Sequence, residues 1–339
     1  MKNLQDFMKP YYERIKIKNI EKLKNKTILI TGASGLIGSN LTAYLNFLIT
    51  NKKLNIKIIA VTRSAPPSWL AKSKKITYIK TNLSKSFLKK NIRFDYLIHC
   101  ATYGQPKKFL EHPLETINLN IGTLSSLLDL SIKNKARVIY LSSAEIYGEA
   151  DKQHIPTEES FFGYVNTLSD RAIYAESKRL AETICYIYQK NLSVKIARLL
   201  ICYGPGVKMD DSRVYSEFIK KAQNTGLIVM MDQGLAQRTF CFVSDAIEML
   251  LNVLLNGREN VYNIAGKETT TIRKLADMIA KINKAKVSSE IQLVEIKGTP
   301  MKSTLSNKRY LSEFQKKQFV SLMEGMTATS SWFTNLKSK

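Results

Sequence analysis

Acidic residues are scarce in this chain of 339: 28 Asp and Glu stand against 52 Lys and Arg, a formal charge of +24. Such an excess invites a nucleic-acid reading. The lysines are scattered, however, with no dense stripe and no recognisable nucleic-acid-binding module. The balance therefore describes a solvated basic surface with some attraction for anionic ligands. Histidine is nearly absent: His99, His112 and His154 are the only three. None stands in a ligand pattern with carboxylates, which argues against a catalytic metal, and His99, at a strand end, reads as a packed histidine. The four cysteines, Cys100, Cys185, Cys202 and Cys241, are too few for a disulfide scaffold and lack metal spacing. Buried free thiols in a reducing compartment, the cytoplasm, are expected. No run reaches the apolar length of a membrane span. Residues 1–26, lysine-rich around Tyr11-Tyr12, hold no apolar stretch resembling a signal peptide. Residues 1–25 are expected to form a helical extension against the domain or a partner subunit.

What is present begins with glycine. Thr27-Ile-Leu-Ile-Thr31 reads as a short buried strand, and Gly32-Ala-Ser34-Gly35-Leu36-Ile37-Gly38 follows at once, opening a helical pattern to about Leu48. That strand–turn–helix context separates a dinucleotide-binding turn from a chance match, although the spacing G-x-x-G-x-x-G differs from the common one. Gly32 allows the tight turn, Gly35 lets the backbone approach a pyrophosphate, and Gly38 lets helix pack on strand. The helix N-terminus adds amide donors and partial positive charge. A second strand, Ile56 to Val61, ends in Thr62-Arg63. An acidic residue there would hold the ribose 2′-hydroxyl. Thr62 serves that role poorly, and Arg63 could meet a 2′-phosphate, stack on adenine or point into solvent. NAD and NADP both stay open on these residues.

With 44% hydrophobic residues the chain can bury a large core in one to two domains. Strands at Asp95–His99, Arg137–Ser142 and Val194–Arg198 alternate with helices near Pro113–Lys133 and Ser169–Gln189. The alternation implies an α/β fold, a Rossmann-type doubly wound parallel sheet. After Tyr203-Gly-Pro-Gly206 the pattern breaks into loops and short helices. The expected division is a dinucleotide-binding domain of residues 26–200 and 236–262 with a smaller, largely C-terminal substrate-binding part, residues 201–235 and 263–335.

Three segments carry the chemistry. Leu141-Ser-Ser143-Ala-Glu145-Ile-Tyr-Gly148 leaves the carboxyl end of a parallel strand, where open sheets place ligands. Ser143 could bond a reacting hydroxyl, and Glu145 could act as acid, base or positioning carboxylate. Tyr174 and Lys178 lie four apart and share a helical face. A free tyrosine, with a pKa of about 10, is a poor base at neutral pH, but an ammonium and a cationic nicotinamide nearby would favour its ionised form. Arg213 and Arg238 place forked donors, suited to a diphosphate, in the substrate half.

Taken together, Gly32–Gly38, His99-Cys-Ala101-Thr102, Thr116-Ile-Asn-Leu-Asn120-Ile-Gly-Thr123, Ser143, Tyr174/Lys178 and Tyr203-Gly-Pro205 resemble the extended short-chain dehydrogenases/reductases of the NAD-dependent epimerase/dehydratase superfamily. The resemblance spans about Lys26 to Trp332. Within the superfamily, Ser142–Gly148, Gly163–Arg171, Tyr174–Arg179, Met209–Val214 and Gln237–Asp245 are most similar to the UDP-glucuronate decarboxylases. It implies a nucleotide-sugar substrate and a retained NAD. Tyr174 would take the proton of the sugar 4-hydroxyl as C4 gives hydride to NAD. The 4-keto uronate would lose CO2, and reprotonation and hydride return would give the pentose. Ser143 would polarise the C4 oxygen, and Glu145 would position or activate the glucuronate. Arg213 and Arg238 would bind substrate, Arg238 through its diphosphate or carboxylate. Lys178 would bond the nicotinamide ribose. Asn120 would keep the active-site helix in shape, and Ala101 and Asn82 would line the cofactor. A homodimer through the helices of 113–133 and 169–189 is also implied.

Three departures from the family pattern bear on chemistry. Ala144 stands where the decarboxylases carry serine and the 4,6-dehydratases an aspartate, so the dehydratase acid–base pair is missing. Asn82 replaces an aspartate common at the adenine. Near Pro300–Leu305 a nucleotide-contacting arginine and a Pro-Asp pair are absent. An NDP-sugar 4-epimerase, which needs Ser143, Tyr174 and Lys178 but not Glu145, is the alternative. A non-catalytic dinucleotide-binding module is the outside one.

Overall fold

The structure, a computed structural model, describes residues 3–291 and 301–338. In chain order, α1 (Leu4–Tyr12) leads to β1 (Thr27–Thr31), α2 (Leu36–Asn51), β2 (Lys57–Thr62), β3 (Ile76–Lys80) and β4 (Tyr96–His99). Then come α3 (Pro106–Glu111), α4 (Pro113–Asn120), α5 (Gly122–Asn134), β5 (Arg137–Ser143), α6 (Ala172–Tyr188) and β6 (Val194–Leu199). The second half holds β7 (Ile201–Tyr203), α7 (Val214–Thr225), β8 (Leu227–Met230), β9 (Gln237–Phe242), α8 (Val243–Asn256) and β10 (Val261–Ile264). It ends with β11 (Thr269–Thr271), α9 (Ile272–Asn283), β12 (Lys286–Ile291), β13 (Lys302–Ser303), α10 (Lys308–Phe314) and α11 (Leu322–Lys337).

Seven strands form one parallel sheet in the order β10-β6-β5-β4-β1-β2-β3. In β1, Ile28 and Ile30 enter the core on one face and Leu29 the core on the other. Strand alternation combined with helices on both faces explains why so short a strand is apolar throughout. In α2, Leu41, Tyr44, Leu45 and Leu48 fall at helical spacing and are all buried. The strand order reverses between β1 and β4, so a crevice opens there at the carboxyl ends.

The helix expected over Pro113–Lys133 is interrupted. α4 ends at Asn120, and Ile121 (φ −111°, ψ −70°) redirects the chain before α5 begins. The later helix starts at Ala172, after a turn, rather than at Ser169.

β6 ends at Leu199 and β7 begins at Ile201, so the smaller part leaves directly from the tip of the main sheet. β9 pairs with β7, β11 and β13, and β8 with β12. The division read from the sequence assigned 236–242 to the dinucleotide domain, whereas β9 is the centre of this second sheet. Phe240 and Phe242 pack edge-on against Tyr203 of β7, and the chain rejoins the main layer only with α8 and β10.

The N-terminal segment lies against its own chain. Asn3 caps α1 by accepting from the Asp6 amide, and Leu4, Met8 and Tyr12 are buried. The Tyr12 hydroxyl donates to Asn40 Oδ1 of α2 at 2.9 Å, and Phe7 meets Trp332 of α11 edge-on at 5.3 Å. Further along, the amides of Lys16 and Lys18 donate to Glu248 and Asn252 of α8.

Candidate active site

The glycine turn is as tight as its backbone allows. Gly32 has φ +67°, and a Cβ there would lie 2.9 Å from the Ala101 backbone at the end of β4. A Cβ on Gly38 would lie 2.4 Å from the Gly32 carbonyl oxygen. Gly35 caps α2, donating its amide to the Gly32 carbonyl at 2.9 Å. The amides of Leu36 and Ile37, in the first turn of α2, have no carbonyl four residues back within the helix, and Ser34 is buried beside them. A cradle that side chains would fill, at a positive helix end in the switch-point crevice, fits the pyrophosphate of a dinucleotide.

The rim beyond β2 and β3 is held by side-chain contacts. The Arg63 guanidinium lies 5.1 Å above the Tyr103 ring and donates to its hydroxyl, which donates to Glu115 at 2.6 Å. Thr62 is buried. Asn82 accepts from the amide and hydroxyl of Ser84, so its side-chain oxygen closes a local turn. Pro300 lies outside the described residues, and β13 begins just beyond it.

At the tip of β5, Ser143 caps a single 3-10 turn, Ala144–Tyr147, accepting from the Glu145 amide at 3.2 Å. Facing it, α6 buries Tyr174, Lys178, Ala181 and Cys185 on one side. Spacing of this kind normally builds an apolar stripe, so a tyrosine and a lysine within it are a local cost that needs a role. Lys178 Nζ donates to the Leu141 carbonyl at 2.7 Å and lies 5.9 Å from the Tyr174 ring centre. Burial lowers its pKa to about 7. Burial raises that of Tyr174, Ser143 draws it down by a hydrogen bond, Glu145 pushes it up, and Arg213 lowers it. Phe109 of α3 stacks on the Tyr174 ring at 4.8 Å. Asn120 accepts from Thr102 and donates to Ser177 Oγ, which donates to the Tyr174 carbonyl. Its amide thus ties the end of β4 to the first turns of α6.

On the substrate side, Glu145 forms an ion pair with Arg171 at 2.7 Å. Arg238 is nearly buried and donates to the carbonyls of Gln237 and Met301. Arg213 is engaged by Asp211 (2.5 Å) and the Cys202 carbonyl (2.9 Å). Gln105 donates to Asp211, and Lys108 pairs with Asp210, so the loop before α7 is laced to α3 across the crevice. Ser143, Glu145, Tyr174 and Lys178 therefore meet at one place, with Arg213 and Arg238 around them. Arg63 and Asn82 stand apart, just past β2 and β3.

Several contributors escaped the sequence reading. Arg171 lies one helical turn before Tyr174, a spacing that could have drawn notice. Phe109, Tyr103 and Gln105 had no signal. Nor had the buried pair beneath the site: Arg198 of β6 grips Glu182 of α6 at 2.8 Å, and Ser142 donates to the same carboxylate at 2.5 Å. Arg198 also donates to Tyr147, which donates to Asn263. His99 is buried beside Thr31, and burial lowers its pKa to about 3, so it stays neutral. All four cysteines are free thiols. Among the described residues no cluster of His, Cys, Asp and Glu is placed to hold a metal, and no helix is long and apolar enough to cross a membrane.

Comparison with known proteins places this geometry. A UDP-glucuronic acid decarboxylase of Arabidopsis thaliana is 31% identical over 278 residues, 80% of this chain and 78% of that protein. A UDP-glucose 4-epimerase of Thermotoga maritima, solved with UDP-glucose, superposes with a TM-score of 0.79 at 22% identity, covering 92% of this chain and 100% of its own. A UDP-glucuronic acid 4-epimerase of Bacillus cereus, solved with NAD, gives 0.75 at 23% identity, covering 91% and 99%. At those identities the two epimerases speak for the fold. The model of the NAD dependent epimerase/dehydratase family matches residues 28–265, from β1 to just past β10. Since that segment takes in the whole main sheet together with its glycine turn, the chain belongs to the NAD-dependent epimerase/dehydratase family.

Proposed function

We propose that this chain decarboxylates a nucleotide-linked glucuronate through a transient 4-keto sugar, with NAD as resident cofactor. The observation that carries the reading is Glu145, held one residue past Ala144 beside Ser143 and Tyr174. The similarity to a UDP-glucuronic acid decarboxylase over 80% of the chain supports it. When bound, NAD would supply the two-electron acceptor that takes a hydride from C4 and returns it.

Tyr174 receives the proton of the 4-hydroxyl, and Ser143 donates to the same oxygen. Lys178, with a pKa of about 7, can carry positive charge behind the phenol and stabilise the tyrosinate. With C4 a ketone, the C6 carboxylate leaves as CO2 and its electron pair passes through C5 to the C4 oxygen. Tyr174 and Ser143 hold that oxygen while C5 takes up a proton. Ala144 contributes no acid or base, which sets the site apart from a C5/C6 elimination.

Ala144, lacking a hydroxyl, also favours a second reading, 4-epimerisation with the carboxylate retained. Incubation with UDP-glucuronate followed by mass spectrometry separates the two. Loss of CO2 with UDP-pentose formation supports the decarboxylase; a 4-epimer of unchanged mass replaces it. A homodimer is part of the proposal. Leu110, Leu114 and Ile117 are exposed on α3 and α4, and Leu180 and Ile187 on α6, an apolar surface suited to a second copy. A monomeric mass at micromolar concentration would refute it. Free thiols and the substrate class support a cytoplasmic location.

A further inference from the structure

The surroundings of Glu145 hold more positive charge than they use. Arg171 pairs with Glu145 directly, and Arg238 feels both of them, drawn by Glu145 and repelled by Arg171. Among the described residues, Asp232 also draws Arg238, more weakly than Glu145 does. Arg213 is already matched by Asp211. Among the described residues two guanidiniums therefore share one near carboxylate, and Arg238 itself donates to the neutral carbonyls of Gln237 and Met301. A partly buried cleft with one surplus cation is a site for an anion.

Phe109 links this cationic side of the cleft to Tyr174. The Arg171 guanidinium lies 5.7 Å from the Phe109 ring centre, and the same ring stacks on Tyr174. Arg171 and Tyr174 thus rest on one aromatic platform, one helical turn apart. The Arg171–Glu145 pair is also reachable, with side chains 24% and 39% exposed. In a uronate the 4-oxygen and the carboxylate carbon are separated by three bonds. A sugar presenting O4 to Tyr174 therefore keeps its carboxylate close to that hydroxyl, on the platform that Arg171 shares.

We propose that Arg171 is the residue that selects a uronate: it leaves Glu145 for the incoming C6 carboxylate, with Arg238 on the far side. This rests on the reading of the reaction above and assigns its specificity to a named side chain. With the carboxylate in place, two guanidiniums face two carboxylates, and Glu145 is released from its ion pair next to the reacting carbons. Loss of CO2 leaves an electron pair that takes up a proton at C5, so the negative charge disappears. Arg171 then returns to Glu145, and a pentose with no carboxylate is held less tightly than the substrate was.

The test is titration calorimetry of the NAD-loaded protein with UDP-glucuronate, UDP-glucose and UDP-xylose, for the wild type, Arg171→Gln and Arg171→Lys. Loss of a charge-assisted bond predicts that Arg171→Gln weakens UDP-glucuronate roughly 10- to 100-fold. UDP-glucose and UDP-xylose should change less than about 3-fold, and Arg171→Lys should recover part of the loss. Equal weakening of all three ligands, or none, would overturn the proposal, the first because it marks a purely structural role through Glu145 or Phe109. The failure of the reaction reading looks different. If the wild type prefers UDP-glucuronate but releases no CO2, decarboxylation falls and Arg171 as carboxylate reader stands. If CO2 is released and Arg171→Gln keeps the wild-type preference, only the Arg171 assignment falls.

Discussion

The glycine turn occupies one short stretch, Gly32 to Gly38, whereas the charged cluster around Tyr174 draws Glu145, Arg171, Arg213 and Arg238 from distant segments. The first is a matter of backbone. A Cβ at Gly32 or Gly38 collides with main chain, so the requirement is written in the residues themselves. The second is a matter of partners. Each charge there is defined by what packs opposite, such as Asp211 against Arg213 or Arg171 against Glu145. A local device can be read from a local pattern; a mutual one exists only after folding.

If the two sides are separable, damage to one should spare the other. The largest effect is expected at their junction, where Tyr174→Phe should reduce turnover roughly 10²- to 10⁴-fold. The protein should still release NAD on denaturation; co-purified cofactor measured beside steady-state rate checks this, and loss of NAD would break the separation. Next comes Arg198→Met, which leaves the Glu182 carboxylate nearly buried without its cation. A loss of about 3 kcal/mol is expected in urea denaturation. The companion Glu182→Gln, Arg198→Met pair should recover part of that loss. Gly38→Ala presses a methyl into the Gly32 carbonyl and should cost about 1–3 kcal/mol. Its signature is poorer NAD retention, with affinity of the remaining holoenzyme for UDP-glucuronate unchanged.

The last effect is a slope. Lys178 falls from a pKa of 10.5 to about 7 on folding. Between those values the unfolded chain binds more protons at this residue, so its contribution favours the folded state increasingly as pH rises across the window. Lys178→Met should lose that gain. Denaturation midpoints of both proteins at about pH 7 and about pH 9.5 measure it, and parallel changes would refute the burial of Lys178.

Legibility followed the same line. The parallel sheet, the glycine turn and the four-residue spacing of Tyr174 and Lys178 are periodic or contiguous, and could be read directly. The break at Ile121 could not, because Asn120 is buried there by bonds to Thr102 and Ser177 on other elements. β9 was placed in the wrong layer because an apolar strand looks alike in either sheet; its partners decide. Arg171 went unassigned because its carboxylate lies 26 residues away. Asn82 and Arg63 lie just past β3 and β2, each engaged locally, and nothing in their spacing foretold Ser84 or Tyr103 as partners.

The contacts of α1 bear on how the molecule is made. Phe7 rests on Trp332, and Arg14 pairs with Glu324, 310 residues along the chain. α1 can pack on α2 through Tyr12 as soon as α2 is made, but the Phe7 and Arg14 contacts must wait until α11 is synthesised. Such a late, long-range closure belongs to the slow end of folding. The main sheet can assemble while translation continues. α2 gains its support early, from Tyr12 of α1, whereas the far side of α1 is completed only by α11.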